Sequence, residues 1–336
     1  MINFGIVGCG YIGKRHAAMV TGNGECRVQA LCDVKPKEIL GLEAYPANFY
    51  QDYGVMLAKE AGMDVVNICV PNGLHADYAI KAMEYGAHVV VEKPMALTVR
   101  DADRILETSR KTGRKVFCVM QNRYSPPSVW IKSLVESGCL GQIEMVQVNC
   151  YWNRDERYYV QGNWHGSADM DGGTLFTQFS HFVDILAWLF GDITHIQARF
   201  ADFCHQNLTA FEDSGMVQFD FVKGGGMGCL NYSTAVYDAN LESSLTVVAR
   251  NGSVKIGGQY MDKVEYCHVK GYEMPELPPT NPGNDYGHYK GSAQNHHYVI
   301  QNVVDVLQGK TDAITATAQE GRLVVDMIER IYSLRK

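Results

Sequence analysis

The sequence predicts an α/β chain of two domains. A doubly wound parallel sheet is expected over residues 1–123, and an α+β domain with a large open, mostly antiparallel sheet over 124–336. Three observations predict this. Apolar strand runs alternate with helical spacings through the first third of the chain, the signature of parallel βαβ units. From residue 193 onward, strand-like runs follow one another with no helix between them, as antiparallel strands do. A length of 336 residues also exceeds one ordinary core.

Ile2–Val7 reads as the first strand and runs into Gly8-Cys9-Gly10-Tyr11-Ile12-Gly13, with a helix beginning near Tyr11. Between a strand and a helix, G-x-G-x-x-G is a dinucleotide fingerprint. Gly8 permits the tight turn, Gly10 admits a pyrophosphate to the backbone, and Gly13 lets helix and strand approach. The N–H groups of Tyr11, Ile12 and Gly13 then face the phosphates at the helix N-terminus. A second strand, residues 27–32, ends at Asp33, twenty residues beyond Gly13. A carboxylate there accepts hydrogen bonds from ribose hydroxyls and repels a 2′-phosphate, which predicts NAD over NADP.

Helices near 52–61, 75–85 and 99–112 continue the alternation, and three further strands end in polar clusters. Residues 64–70 lead into Pro71-Asn72-Gly73-Leu74-His75. Residues 88–91 lead into Glu92-Lys93-Pro94, and residues 116–120 into Gln121-Asn122-Arg123. Ligands bind beyond the carboxyl ends of parallel strands, so three such endings on one edge outline a site. A helix near 126–137 and a long strand at 143–152 follow. Later strands are expected near 193–203, 213–222, 226–235, 243–249 and 253–256, with closing helices at 292–308 and 317–333. Asp171–Asp184 reads as a helix after a double glycine, with Leu175, Phe179, Phe182 and Val183 on an apolar face. Thr177, Gln178, His181 and Asp184 form a polar stripe in which Asp184 is placed to orient the His181 imidazole.

Composition narrows the function. A net charge of −7 disfavours a nucleic-acid scaffold. No 18-residue apolar run is present, and no basic, apolar leader precedes the first strand, so a cytoplasmic protein is expected. Ten cysteines form no C-x-x-C pair, and most lie in apolar runs, so they read as reduced core residues and no metal is expected.

The combination of Gly8-Cys9-Gly10-x-x-Gly13, Pro71-Asn72-x-x-His75 and Glu92-Lys93-Pro94 resembles the Gfo/Idh/MocA oxidoreductase family. The resemblance implies a Rossmann domain and places Gly8, Gly10, Tyr11, Ile12, Gly13, Asp33, Pro71, Asn72, His75, Glu92, Lys93 and Gln121 around the cofactor. It also implies that Lys93 lies beside the nicotinamide, with a cis Lys-Pro bond, and that His181 faces the same ring. Within the family, several segments look like the UDP-N-acetylglucosaminuronate 3-dehydrogenases. These are Gln121-Asn122-Arg123, Arg154 with Tyr158-Tyr159, Trp164-x-Gly166-Ser167, Gln178-x-Ser180-His181, Asp285-Tyr286-Gly287-His288 and Glu320-Gly321-Arg322 through Ile331-Tyr332. Thr177 and Phe179 stand where the commonest family form has an acid and a glycine, and His165 stands where this branch carries arginine.

The expected activity is hydride transfer from a sugar hydroxyl carbon to NAD, at the 3-position if the branch holds. His181 is assigned as the base and Lys93 as the group holding the hydroxyl oxygen, with the reverse chemically open. Arg123, Arg154 and Arg157 are candidates for carboxylate or diphosphate recognition, or are surface charge. Tyr159 and Trp164 are placed to stack on sugar or uracil, or to fill a loop, and Thr177 and Gln178 join the substrate set. An inositol or simple hexose dehydrogenase is the alternative. An NAD-containing glycosidase and a non-catalytic dinucleotide sensor represent other classes. A homodimer or homotetramer through the C-terminal sheet is expected.

Overall fold

The computed structural model describes residues 1–160, 163–287 and 289–335. In chain order, the first strands and helices are β1 (Ile2–Val7), α1 (Tyr11–Thr21), β2 (Cys26–Cys32), α2 (Lys37–Leu40), β3 (Asn48–Tyr50), α3 (Tyr53–Lys59), β4 (Val65–Ile68), α4 (His75–Glu84), β5 (His88–Val91), α5 (Val99–Thr112) and β6 (Val116–Cys118). These are followed by α6 (Pro126–Glu136), β7 (Ile143–Tyr151), α7 (Thr174–Thr177), α8 (Ser180–Phe190), β8 (Ile193–Ala201), β9 (Ser214–Phe221), β10 (Met227–Ser233), β11 (Glu242–Ala249), β12 (Gly252–Gly257) and β13 (Lys263–Val269). The chain closes with β14 (Gly283–Asp285), β15 (Lys290–Ala293), α9 (His296–Leu307) and α10 (Ala318–Tyr332). Among the described residues, no helix is long and apolar enough to cross a membrane.

Residues 1–120 and 296–325 form one compact unit, and residues 121–295 with 326–336 the other. The boundary therefore falls at 120/121, and the chain returns to the first unit through α9 and the start of α10. Local periodicity does not specify which sheet a terminal helix covers, because the covering partner is remote in sequence.

The first unit carries a parallel sheet in the order β3-β2-β1-β4-β5-β6. The order reverses between β1 and β4, which opens a crevice beyond their carboxyl ends. Val89, Val90 and Val91 of β5 are fully buried, as expected for a strand covered on both faces. The second unit carries a seven-stranded sheet in the order β13-β12-β11-β7-β10-β9-β8. It is antiparallel throughout except where β7 and β10 run parallel. Along β7, Val146, Val148 and Cys150 point inward and alternate with more exposed residues, so one face carries the core. Phe179 and Phe182 pack edge-on against Trp152 at centroid distances of 5.4 and 5.7 Å, which sets α8 on that inner face.

One expectation is corrected here. The single helix expected across 171–184 is two helices, α7 and α8, separated at Gln178 and Phe179, with Phe179 at φ −115° and ψ 5° capping the second. At Gly173 the Tyr332 side chain makes the close approach. The φ of Gly173 is +130°, and a Cβ there would meet the Tyr332 hydroxyl at 2.7 Å, while that hydroxyl accepts a hydrogen bond from Leu175 N at 2.7 Å. All ten cysteines are free; Cys9, Cys26, Cys32, Cys118 and Cys150 are buried, whereas Cys139 and Cys204 are exposed. Burial pushes the Cys9 and Cys32 thiols up to about 12, leaving them poor nucleophiles.

Candidate active site

In the first unit, the turn after β1 has the form its glycines imply. Gly8 has a φ of +83°, and a Cβ at Gly13 would lie 2.0 Å from the Gly8 carbonyl oxygen. A Cβ at Gly10 would meet no atom within 4 Å. The two flanking glycines are thus demanded by the protein, whereas Gly10 borders open space. No side chain caps α1, so its first-turn N–H groups point to where phosphates would sit. Asp33, at the end of β2, accepts from Cys9 N at 2.7 Å and Lys35 N at 2.9 Å, which holds its carboxylate beside the glycine turn. These residues fit a bound dinucleotide. Tyr11 is 69% exposed at the helix mouth, and Ile12 and Pro71 are half-buried nearby in sequence.

Lys93 is half-buried at the end of β5, and the Lys93–Pro94 bond is cis as expected. Glu92 and His75, read as cofactor ligands, are buried and turned to the protein instead. His16 Nε2 donates to Glu92 Oε1 at 2.8 Å, and Lys93 N donates to Glu92 Oε2 at 3.2 Å. Asn67 Nδ2 donates to His16 Nδ1 at 2.9 Å, so the ring proton sits on Nε2. His296 Nε2 lies 3.7 Å from the same Glu92 oxygen. Burial alone would raise the Glu92 pKa, but the hydrogen bond with His16 and the nearby His296 ring hold it well below the usual carboxylate range. His75 is placed by both ring nitrogens, Nδ1 2.7 Å from Pro94 O and Nε2 2.8 Å from Val70 O. Asn72 is buried beside it in sequence.

His16 and His296 belong to none of the sequence motifs above. His16 follows Gly13 by three residues on the sheet-facing side of α1, which is a local signal. His296 lies too far along the chain to leave one.

In the second unit, His181 sits in the first turn of α8, 2% exposed. Gln121 Nε2 is 3.2 Å from His181 Nε2 and 3.5 Å from Ser292 Oγ. This amide donation leaves His181 Nε2 as the acceptor nitrogen, the form a general base requires. Gln121, expected at the cofactor, is therefore a neighbour of the histidine, and Asn295 Nδ2 fixes its carbonyl at 3.2 Å. Asn122 is 3% exposed, and its amide oxygen and nitrogen, the Gln121 Oε1 and the Ser180 Oγ have no hydrogen-bond partner among the described residues. Buried polar atoms are rarely left so, and these suit a polar ligand.

The arginines require correction. Arg123 donates to both Asp184 oxygens, at 2.8 and 2.6 Å, with each side chain 1% exposed. It holds the chain's own carboxylate, and Asp184, expected to orient His181, is engaged in that fork. Arg154 is 2% exposed, and the Trp152, Tyr158 and Tyr289 rings surround it at 4.8 to 5.2 Å. It donates to Gln178 Oε1, Asn153 O, Asn240 Oδ1 and Lys290 O, and so organises the loops around it. Burial lowers its pKa. Arg157 stays at the surface, paired with Asp155 and Asp238, and its hydrogen bonds draw the Asp155 carboxyl down to about 2.

Gln178 completes its bonding by donating to Tyr158 Oη at 2.9 Å. Thr177 Oγ1 donates to the Asp171 carboxylate and to Asp171 O. Tyr159 packs with Tyr158 and Phe211 in a buried cluster, the loop-filling one of its two expected roles. Trp164 is half-buried and stacks on His165 at 3.8 Å. His288, from the Asp285-Tyr286-Gly287-His288 motif, lies outside the described residues.

Burial lowers the pKa of His75, His88, His205 and His296. Each folded-state pKa lies below its unfolded value near 6.5, so below that pH the unfolded chain binds more protons. Stability is therefore complete above the unfolded pKa and falls as pH drops through it. The urea midpoint is expected to be lower at about pH 5.5 than at about pH 7.5, and to fall again below about pH 4.5 as Glu92 loses its advantage. Equal midpoints at the first two pH values would refute the assignment.

Sheet order, glycine turn and terminal acid together define a dinucleotide-dependent oxidoreductase with a separate α+β unit. Residues 2–120 match the model described as an oxidoreductase family with an NAD-binding Rossmann fold, and residues 129–255 match the family's C-terminal domain. The chain belongs to the Gfo/Idh/MocA family. It is 30% identical to inositol 2-dehydrogenase of Rhizobium meliloti over 339 residues, 98% of each chain. It is 28% identical over 162 residues to the oxidoreductase YteT of Bacillus subtilis, covering 48% of this chain and 37% of that one. Among solved structures, the WlbA dehydrogenase of Bordetella pertussis, in complex with NADH and UDP-GlcNAcA, superposes with a TM-score of 0.87 at 30% identity, covering 99% of this chain and 95% of that one.

Proposed function

We propose that this chain is an NAD-dependent dehydrogenase that oxidises a hydroxyl of a nucleotide-linked N-acetylhexosamine or its uronate, at the 3-position. The observation that carries the reading is the full-length likeness to the WlbA dehydrogenase bound to NADH and UDP-GlcNAcA. NAD supplies the hydride acceptor. His181 takes the hydroxyl proton at Nε2, the nitrogen that Gln121 leaves as an acceptor. The Lys93 ammonium is assigned to hold a hydroxyl oxygen and to stabilise the negative charge that develops as a proton leaves. The electron pair of the C–H bond departs as hydride, and a carbonyl remains. Asp33 selects NAD by accepting from the ribose hydroxyls.

A second reading, inositol oxidation, is favoured by 30% identity to the Rhizobium inositol 2-dehydrogenase along nearly the whole chain. His165 supports it too, because an arginine suited to a substrate carboxylate is missing at that position. Purified protein with NAD is tested against UDP-GlcNAcA, UDP-GlcNAc and myo-inositol, with and without 2-oxoglutarate, by following NADH. The proposal expects NADH with a UDP-sugar and no response to myo-inositol; the opposite result replaces it with the polyol reading. For assembly, the outward face of the seven-stranded sheet, where Met145, Met216 and Met227 are exposed, is proposed as the dimer or tetramer contact.

A further inference from the structure

We propose that His75 is a positioning residue for Lys93, acting through the carbonyl of Pro94. The inference rests on the reading that Lys93 takes part in the reaction. His75 is the first residue of α4, 1% exposed, and both ring nitrogens face main-chain oxygens. Nδ1 lies 2.7 Å from Pro94 O and Nε2 lies 2.8 Å from Val70 O. The ring therefore ties the segment after β4 to the turn after β5.

A hydrophobic residue would fill the same space without that hydrogen bond. Nothing in the packing of α4 calls for an imidazole, because Ala76, Ala79, Ala82 and Met83 already bury that helix. What the imidazole adds is one directed hydrogen bond: the neutral ring has a single N–H, and with that proton on Nδ1 it donates to Pro94 O, on the residue after Lys93, while Nε2 rests against Val70 O. The residue before Lys93 is pinned independently. Glu92 N donates to Ile68 O at 3.1 Å, and the Glu92 carboxylate accepts from His16 and from Lys93 N. Lys93 is thus the one link between two anchored neighbours, and its stem leaves the backbone in a direction that those anchors set. A displacement near 1 Å at a reacting group costs about 10²-fold in rate, so a remote clamp on this turn has catalytic consequence.

The two contacts can be separated. In asparagine the amide nitrogen stands where Nδ1 stands, and in glutamine where Nε2 stands. His75→Asn keeps a donor for Pro94 O, whereas His75→Gln keeps one only for Val70 O. The experiment compares both variants with wild type in the NAD-loaded full-length protein. The reactivity of the Lys93 amine is measured by competitive acetylation as a function of pH, together with NAD affinity and turnover of UDP-GlcNAcA.

His75→Gln is expected to change Lys93 acetylation by about tenfold and to lower kcat by about 10²-fold, with NAD affinity within about twofold of wild type. His75→Asn is expected to stay within about threefold of wild type in both. Equal behaviour of the two variants, or unaltered Lys93 reactivity in His75→Gln, overturns the inference. So does a loss that appears only in NAD affinity. Lys93→Met separates this from the underlying reading: if it retains turnover, Lys93 is not catalytic, while the acetylation comparison still decides whether His75 positions it. If one variant does not fold, the acetylation profile of the other decides alone.

Discussion

Replacing His181 by asparagine lowers turnover by roughly 10²–10⁴-fold while NAD still binds, the usual worth of a general base. Asparagine keeps a polar group of similar reach at the start of α8 but cannot take up a proton. The fold around the position is well supported without the imidazole. Phe179 and Phe182 pack on Trp152, and one turn further on Asp184 is locked to Arg123. The variant is therefore expected to unfold at the wild-type temperature, so lost turnover reports chemistry. Steady-state NADH formation and NAD titration by tryptophan fluorescence measure the two quantities separately. Unchanged turnover removes His181 from the role, and a parallel loss of NAD binding assigns it to the cofactor instead.

The second large effect separates two glycines of one turn. Gly13→Ala destabilises the first unit by roughly 3 kcal/mol, because its Cβ would lie 2.0 Å from the Gly8 carbonyl oxygen and the backbone on both sides is fixed by α1 and β1. Gly10→Ala unfolds with the wild type, since no protein atom lies within 4 Å of the added methyl. It nonetheless weakens NAD by about tenfold or more, because the methyl occupies the space left for the pyrophosphate. Thermal unfolding and NAD titration of both variants check the contrast. A stable Gly13→Ala, or a Gly10→Ala that binds NAD normally, contradicts the division of labour.

The first unit was more legible than the second. Its turn chemistry is local: Gly8, Gly13 and Asp33 act on residues within one βαβ repeat, and their spacing carries the geometry. In the second unit the expected strands near 193–203, 213–222 and 226–235 appear as β8, β9 and β10, because alternation along each strand is again a local property. Strand β13 and the short β14 and β15 were not anticipated, since short half-exposed runs have little periodicity to read.

Side-chain partnerships were the least legible. Arg123, Arg154 and Gln178 carry the residue types of a substrate site, yet they close internal networks with Asp184, Lys290 O and Tyr158. An arginine reads alike from sequence whether its fork meets a ligand or a carboxylate 61 residues away.

By itself, the sequence of this protein determined the dinucleotide turn, the alternation of strands and helices, and the chemical identity of Lys93 and His181, because each depends on neighbours a few residues apart. The tertiary structure alone decided that Glu92 and His75 turn inward as anchors, that Gln121 meets His181, and that residues 296–325 return to the first unit. Those outcomes depend on which distant surfaces are buried together, and burial sets whether a polar group must find its partner within the chain.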